Sequence, residues 1–161
     1  MKGLVLKINS VEEMQQLAYD ITQFATPSTI IALNGDLGAG KTTFTKGIGV
    51  ALGIEKVINS PTFTIMKIYD VKNKIHDMNK LYHLDVYRLQ NSKSDFELEE
   101  YFYQGGLTVI EWADIISDLL PLDTWSIHIY RINENERRVV FTNFPDEVIK
   151  NIGEKYEIIH G

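Results

Sequence analysis

Two groups of residues in this chain have the types and spacing to do chemistry. Gly35, Asp36, Leu37, Gly38, Ala39, Gly40, Lys41, Thr42 and Thr43 fit the pattern G-x-x-x-x-G-K-[ST], and two carboxylates, Asp85 and Glu111, close short apolar runs further on. The first pattern suits a polyphosphate. Glycines let the backbone wind tightly, so that successive N–H groups and the positive end of a following helix point at the anion. Lys41, on an exposed loop, is placed to neutralise the terminal phosphates, and the Thr42 hydroxyl to hold Mg²⁺. A plain glycine-rich turn would explain the glycines but neither the lysine nor the hydroxyl after it.

Such a loop needs a strand before it and a helix behind it, and the flanking residues supply both. Thr29-Ile30-Ile31-Ala32-Leu33 is an apolar run, while Phe44, Ile48, Ala51 and Leu52 recur at helical spacing until Gly53 can end the helix. Leu81 to Asp85 reads as a strand whose period of two puts His83 and Asp85 on one face. Leu107 to Ile110 reads as another, delivering Glu111 and Trp112 to its C-terminal end, the edge where ligands bind in open α/β sheets. A strand-end acid in a P-loop protein commonly serves the metal or the attacking water, or else only caps the next turn of the chain. In Asn59-Ser60-Pro61-Thr62-Phe63-Thr64-Ile65 the proline blocks helix and the β-branched run favours strand. Ser60 and Thr62 at its start could sense a terminal phosphate or a metal, or could simply bond their own backbone.

The remaining sequence reads as scaffold. Gly3 to Ile8 is a short strand, and Ser10 with Glu13 forms a capping box for a helix whose apolar side is Val11, Met14, Leu17, Ala18, Ile21 and Phe24. Asp95 to Phe102 is an acidic amphipathic helix broken by Gly105-Gly106, and a helix around Asp114 to Leu120 stops at Pro121. Trp125 to Tyr130 and Arg137 to Phe144 alternate as a hairpin, with a short helix from Pro145 and an edge strand within 155–159 completing the chain. The expectation is an α/β fold over a single domain, 1–161: a P-loop NTPase-like three-layer α/β/α sandwich with a mixed, mostly parallel sheet and antiparallel hairpins.

Composition bounds the function. The 161 residues are 44% hydrophobic and 24% charged, enough to bury a real core in one domain. With no cysteine there is neither a disulfide framework nor a thiolate metal site. No apolar run approaches the ~18 residues of a membrane helix, and charge interrupts the N-terminus too early for a signal peptide, so a cytoplasmic protein is expected. A net charge of −6 with dispersed Lys and Arg argues against a dedicated nucleic-acid surface. Any link to RNA should run through a partner.

Four segments together resemble the bacterial tRNA threonylcarbamoyladenosine biosynthesis ATPase family, the TsaE or YjeE group. They are Leu33 to Thr43, Ser60-Pro61-Thr62-Phe63-Thr64, His83-Leu84-Asp85-Val86-Tyr87-Arg88-Leu89, and Ile110-Glu111-Trp112. The first is shared with many NTPases, whereas the ordered set is specific. The resemblance implies an ATPase that works with a threonylcarbamoyl-transferase subunit and its paralogue in modifying the adenosine beside the anticodon of tRNAs that read codons beginning with A. It implies ATP and Mg²⁺ as cofactors, slow hydrolysis alone and acceleration by partners. Lys41 and the loop amides would hold the phosphates, Thr42 and Glu111 the metal. Asp85 would be the catalytic carboxylate or a metal-water ligand, Ser60 and Thr62 a switch-like segment, and Trp112 a support for the site.

Two rival readings share the phosphate loop. A small nucleotide or metabolite kinase would need an Arg-rich lid, and Arg137-Arg138 is the only adjacent pair. A nucleotide-dependent binding module that scarcely hydrolyses ATP is the other. A guanine signature Asn-Lys-x-Asp is missing, since Asn73-Lys74-Ile75-His76 and Asn79-Lys80-Leu81-Tyr82 both fail at the last position.

Overall fold

The computed structural model describes residues 3–61, 65–73, 75–87, 89, 100, 102 and 104–160. Thr62 lies outside them, as does the acidic helix expected over 95–102 apart from Glu100 and Phe102. Among the described residues eight strands form one sheet: β1 (Leu4–Ile8), β2 (Ile30–Asn34), β3 (Met66–Asp70), β4 (Lys80–Asp85), β5 (Leu107–Glu111), β6 (Trp125–Arg131), β7 (Arg137–Thr142) and β8 (Glu157–Ile158). Their order is β3-β4-β5-β2-β6-β7-β1-β8. The central strands β4, β5, β2 and β6 are parallel neighbours. β1 runs with them, because it is antiparallel to β7 and β7 is antiparallel to β6, while β3, β7 and β8 run the other way. The sheet is mixed and mostly parallel, as the sequence predicts.

Period two sorts the strand residues into two cores. Ile31, Leu33, Leu81, Val109 and Ile127 face the helices α1 (Val11–Thr22), α2 (Lys41–Ala51) and α3 (Asp146–Lys155), meeting Leu17, Phe44, Ile48 and Ile152. On the opposite face Ile30, Ala32, Leu84 and Ile110 pack with Leu89, Phe102, Ala113 and Ile116. Among the described residues that second layer is thin. The helix expected around 114–120 is a 3₁₀ helix over Ala113–Leu119, broken at Ile116. It begins from a left-handed Trp112 and stops before Pro121, a span too short and too strained at its start to settle into α geometry.

Local chemistry sets the element ends. Ser10 Oγ accepts from the Glu13 amide at 3.0 Å, but the Glu13 carboxylate reaches the Asn9 amide (2.9 Å), one residue before the amide a capping box uses. Val11, expected on the packing side, is exposed because it is the first helical residue and the buried stripe starts at Met14. α1 and α2 approach closely at Gly47, where a Cβ would stand 2.4 Å from the Gln15 carbonyl oxygen. The strand suggested by the run through Ile65 begins at Met66, after Ile65 turns through φ 68°. Among the described residues no helix is long and apolar enough to cross a membrane.

Candidate functional site

The glycine-rich loop joins β2 to α2 at the C-terminal edge of the central strands. Gly35 starts it at φ 152°, and a Cβ there would lie 2.6 Å from the Ile129 carbonyl oxygen of β6. Gly40, at φ 121°, precedes an α2 whose first turn carries no side-chain cap and no acid. Its amides and the positive end of its dipole are therefore left for an anion. Ala39 is buried, Leu37 is 90% exposed, and Gly35 and Asp36 border a second recess beside Trp112.

Lys41 is not the exposed side chain expected of a loop lysine: it is only 6% exposed. Its Nζ donates to the Gly35 carbonyl and, at 3.1 Å, to that of Asp36, and it sits 4.0 Å from the centroid of the Trp112 ring. Burial pushes its ammonium below the ordinary lysine range, while Glu111, Asp85 and Asp36 pull the other way. Trp112 itself adopts φ 61°, ψ 35°, a left-handed conformation that costs a tryptophan about 1 kcal/mol or more. Its amide donates to the Leu33 carbonyl at 3.0 Å, and the Tyr87 ring leans on its indole at 4.9 Å. These contacts hold the indole over the lysine.

The two strand-end acids stand side by side. β4 and β5 pair in parallel with Asp85 opposite Glu111, and both share the face that carries α2. Glu111 is 2% exposed; one oxygen bonds His83 Nε2 at 2.5 Å and the other lies 3.5 Å from the Thr42 hydroxyl. His83 is fully buried, and its Nδ1 has no hydrogen-bond partner among the described residues. An Nε2–H tautomer donates to Glu111 and leaves Nδ1 as an acceptor. Asp85 is 7% exposed and accepts from Ser60 Oγ (2.9 Å) with one oxygen and from the Tyr87 amide (3.0 Å) with the other. The second bond is the capping role that the sequence left open for this acid.

A cavity of about 500 Å³ is lined by Leu37, Gly38, Gly40, Lys41, Thr42 and Thr43 from the loop, and by Ser60, Asp85, Tyr87, Glu111 and Trp112 from the strand ends. The structure thus brings together the lysine, the hydroxyl and both acids. Sequence reasoning missed two neighbours. Tyr87 lines the cavity, and its place two residues after Asp85 was the available signal. Arg137 donates through Nε to the Ala39 carbonyl at 2.8 Å, a contact across 98 positions that no local pattern announces. Asn34, at the end of β2, accepts from the Asp114 amide at 2.8 Å and so anchors the segment after Trp112.

Comparison with known proteins agrees on one family. The family model described as threonylcarbamoyl adenosine biosynthesis protein TsaE matches residues 8–139. The chain is 40% identical over 159 residues to the tRNA threonylcarbamoyladenosine biosynthesis protein TsaE of Bacillus subtilis, covering 99% of this chain and 92% of that one. It is 36% identical over 140 residues to the protein of the same name from Aquifex aeolicus, covering 82% and 90%. The crystal structure of Bacillus subtilis YdiB superposes with a TM-score of 0.78 at 35% identity over 96% of both chains. With the loop, the acids and the tryptophan gathered on one cavity, and relatives matched over nearly their whole length, this chain belongs to the TsaE family.

Proposed function

We propose that the chain binds Mg-ATP in this cavity and hydrolyses it, and that the hydrolysis supports a partner complex making N6-threonylcarbamoyladenosine in tRNAs that read codons beginning with A. The observation that carries the reading is the convergence of Lys41, Thr42, Asp85 and Glu111 on one cavity at the open N-terminus of α2. Loop amides and Lys41 hold the phosphates, where a lysine already desolvated gains most from an anion.

The donor set around Thr42 suits Mg²⁺: a hydroxyl and two carboxylates, all hard oxygen. Among the described residues no three His, Cys, Asp or Glu side chains gather to hold a metal unaided. Mg²⁺ is ordinarily bound by one or two carboxylates with substrate phosphates and water, so Thr42 and Glu111 would hold it and Asp85 would hold a water or a proton. When bound, the cation neutralises charge developing on the phosphates. Ser60, hydrogen-bonded to Asp85, and Thr62 are assigned to the phosphate-sensing segment, and Trp112 keeps water from the lysine.

The kinase alternative gains nothing from the arginine pair. Arg137 is engaged by main-chain carbonyls and Arg138 lies 3.8 Å from Glu136, so neither hangs over the cavity as a lid. Steady-state ATPase assays with and without the transferase subunit and its paralogue test the proposal. Slow turnover alone and marked acceleration by the pair are expected; no hydrolysis under either condition would reduce the chain to a binding module.

The same charge facts make a prediction about RNA. With net charge −6 and Arg138 beside an acid, the isolated chain should bind tRNA weakly, and only the assembled complex should offer an RNA surface. Filter binding at physiological salt checks this. Tight binding that falls steeply with added salt would mean that folding gathers a basic patch after all.

A further inference from the structure

Arg137 opens β7, yet its guanidinium leaves the sheet for the phosphate loop. Nε donates to the Ala39 carbonyl at 2.8 Å and Nη2 to that of Gly38 at 3.5 Å. Nη1 donates to the carbonyls of Asn133 (2.7 Å), Glu136 (3.1 Å) and, more weakly, Glu134 (3.4 Å). The hairpin turn presents these last three because the Asn133 side chain accepts from the amides of Asn135 (3.0 Å) and Glu136 (2.9 Å), folding the turn back on itself. A guanidinium carries five N–H donors in one rigid plane, and every acceptor here is a main-chain carbonyl.

Each carbonyl turned to Arg137 fixes a peptide plane. In a trans peptide the following N–H points the opposite way, so the Ala39 carbonyl sets the direction of the Gly40 N–H, away from the arginine. Gly38 and Gly40 border both the main cavity and a smaller recess, and Arg137 lines the recess but not the main cavity. Gly38 and Gly40 have positive φ, 81° and 121°, and a glycine-rich stretch loses much freedom when it is held in one conformation. It needs a tether from outside.

We propose that Arg137 is a positioning residue for the nucleotide's phosphates: from behind the loop it holds the 38–40 backbone in the anion-binding conformation and links the hairpin turn to it. This rests on the nucleotide reading above. Lysine cannot substitute, since one ammonium nitrogen does not span the Gly38, Ala39 and Asn133 carbonyls together.

The test uses the full chain with Arg137→Ala and Arg137→Lys. Calorimetric titration with Mg-ATP and Mg-ADP should show affinity falling about tenfold to a hundredfold in both variants, the scale of charge-assisted hydrogen bonds. With partners present, KM should rise while kcat changes little. Millimolar ethylguanidinium should partly restore Arg137→Ala, and Arg137→Lys should remain impaired although its charge is kept. Amide exchange without nucleotide should be faster across the loop in both variants. A folded variant with wild-type affinity, or with unchanged loop exchange, overturns the proposal; if Arg137→Ala does not fold, Arg137→Lys decides. If the wild-type chain itself binds no nucleotide, the functional reading fails instead, and the exchange measurement still decides whether Arg137 holds the loop.

Discussion

Lys41→Ala is expected to lose nucleotide-dependent stabilisation and to hydrolyse ATP ~10²-fold more slowly or worse, the scale of removing one preorganised charge donor from a site. At about one hundred times Kd a ligand stabilises the folded state by about 2.7 kcal/mol, which for a domain of this size is roughly 5–10 °C in Tm. Wild-type protein should show that shift with Mg-ATP, and the variant should not. Because Lys41 is buried and bonds the Gly35 and Asp36 carbonyls, the variant should also melt somewhat lower without nucleotide. The two effects separate cleanly, since the first needs ligand and the second does not. A folded Lys41→Ala protein with wild-type turnover would overturn the phosphate-loop assignment.

That lysine also marks where sequence reasoning stopped. Its type and place were legible because the motif is contiguous and its strand and helix neighbours carry their own periodicities. Likewise, period two alone put His83 and Asp85 on one face, and the apolar run of β5 delivered Glu111 to the same edge. Parity is a local property, so it survives without knowledge of the fold. What was lost depends on contacts between distant segments. The indole over Lys41 exists because Trp112 takes a left-handed turn held by Leu33, and the arginine behind the loop comes from a hairpin 98 positions away. Hydrophobic spacing around 114–120 is as compatible with a 3₁₀ segment broken at Ile116 as with an α-helix, and the left-handed Trp112 from which the segment starts is held by a distant carbonyl, that of Leu33. Lys41 itself was expected on an exposed loop because a charged loop residue normally is; the sheet edge and Trp112 bury it.

The sheet order explains why these pieces meet. β2 lies between β5 and β6, so the loop leaving its C-terminal end is flanked by Glu111 on one side and by the start of the hairpin turn on the other. The acids come from strands on one side of β2, and the arginine tether from strands on the other. A ligand in the cavity would therefore contact groups whose positions are set by both halves of the sheet, the arrangement expected where ligands bind in open α/β folds.

Asp85→Asn and Glu111→Gln should each lower hydrolysis by ~10²-fold or more while nucleotide binding stays measurable, because they act on metal and water and not on the phosphate cradle. The structure separates the two. Asparagine can keep both contacts of Asp85, its amide oxygen accepting from the Tyr87 amide and its amide nitrogen donating to Ser60 Oγ, so the fold there should survive and only the charge is lost. Glutamine cannot do this at 111. If His83 presents Nε2–H, the amide oxygen must turn toward it, which leaves an NH₂ group facing Thr42 where an acceptor for the cation is required. Glu111→Gln should therefore also raise the Mg²⁺ concentration needed for half-maximal turnover, whereas Asp85→Asn should leave that requirement closer to wild type. ATPase assays with the partner pair, run across a Mg²⁺ series, distinguish the outcomes. Normal hydrolysis in either variant would make that carboxylate structural, and for Asp85 its bonds to Ser60 and Tyr87 would then be its whole role.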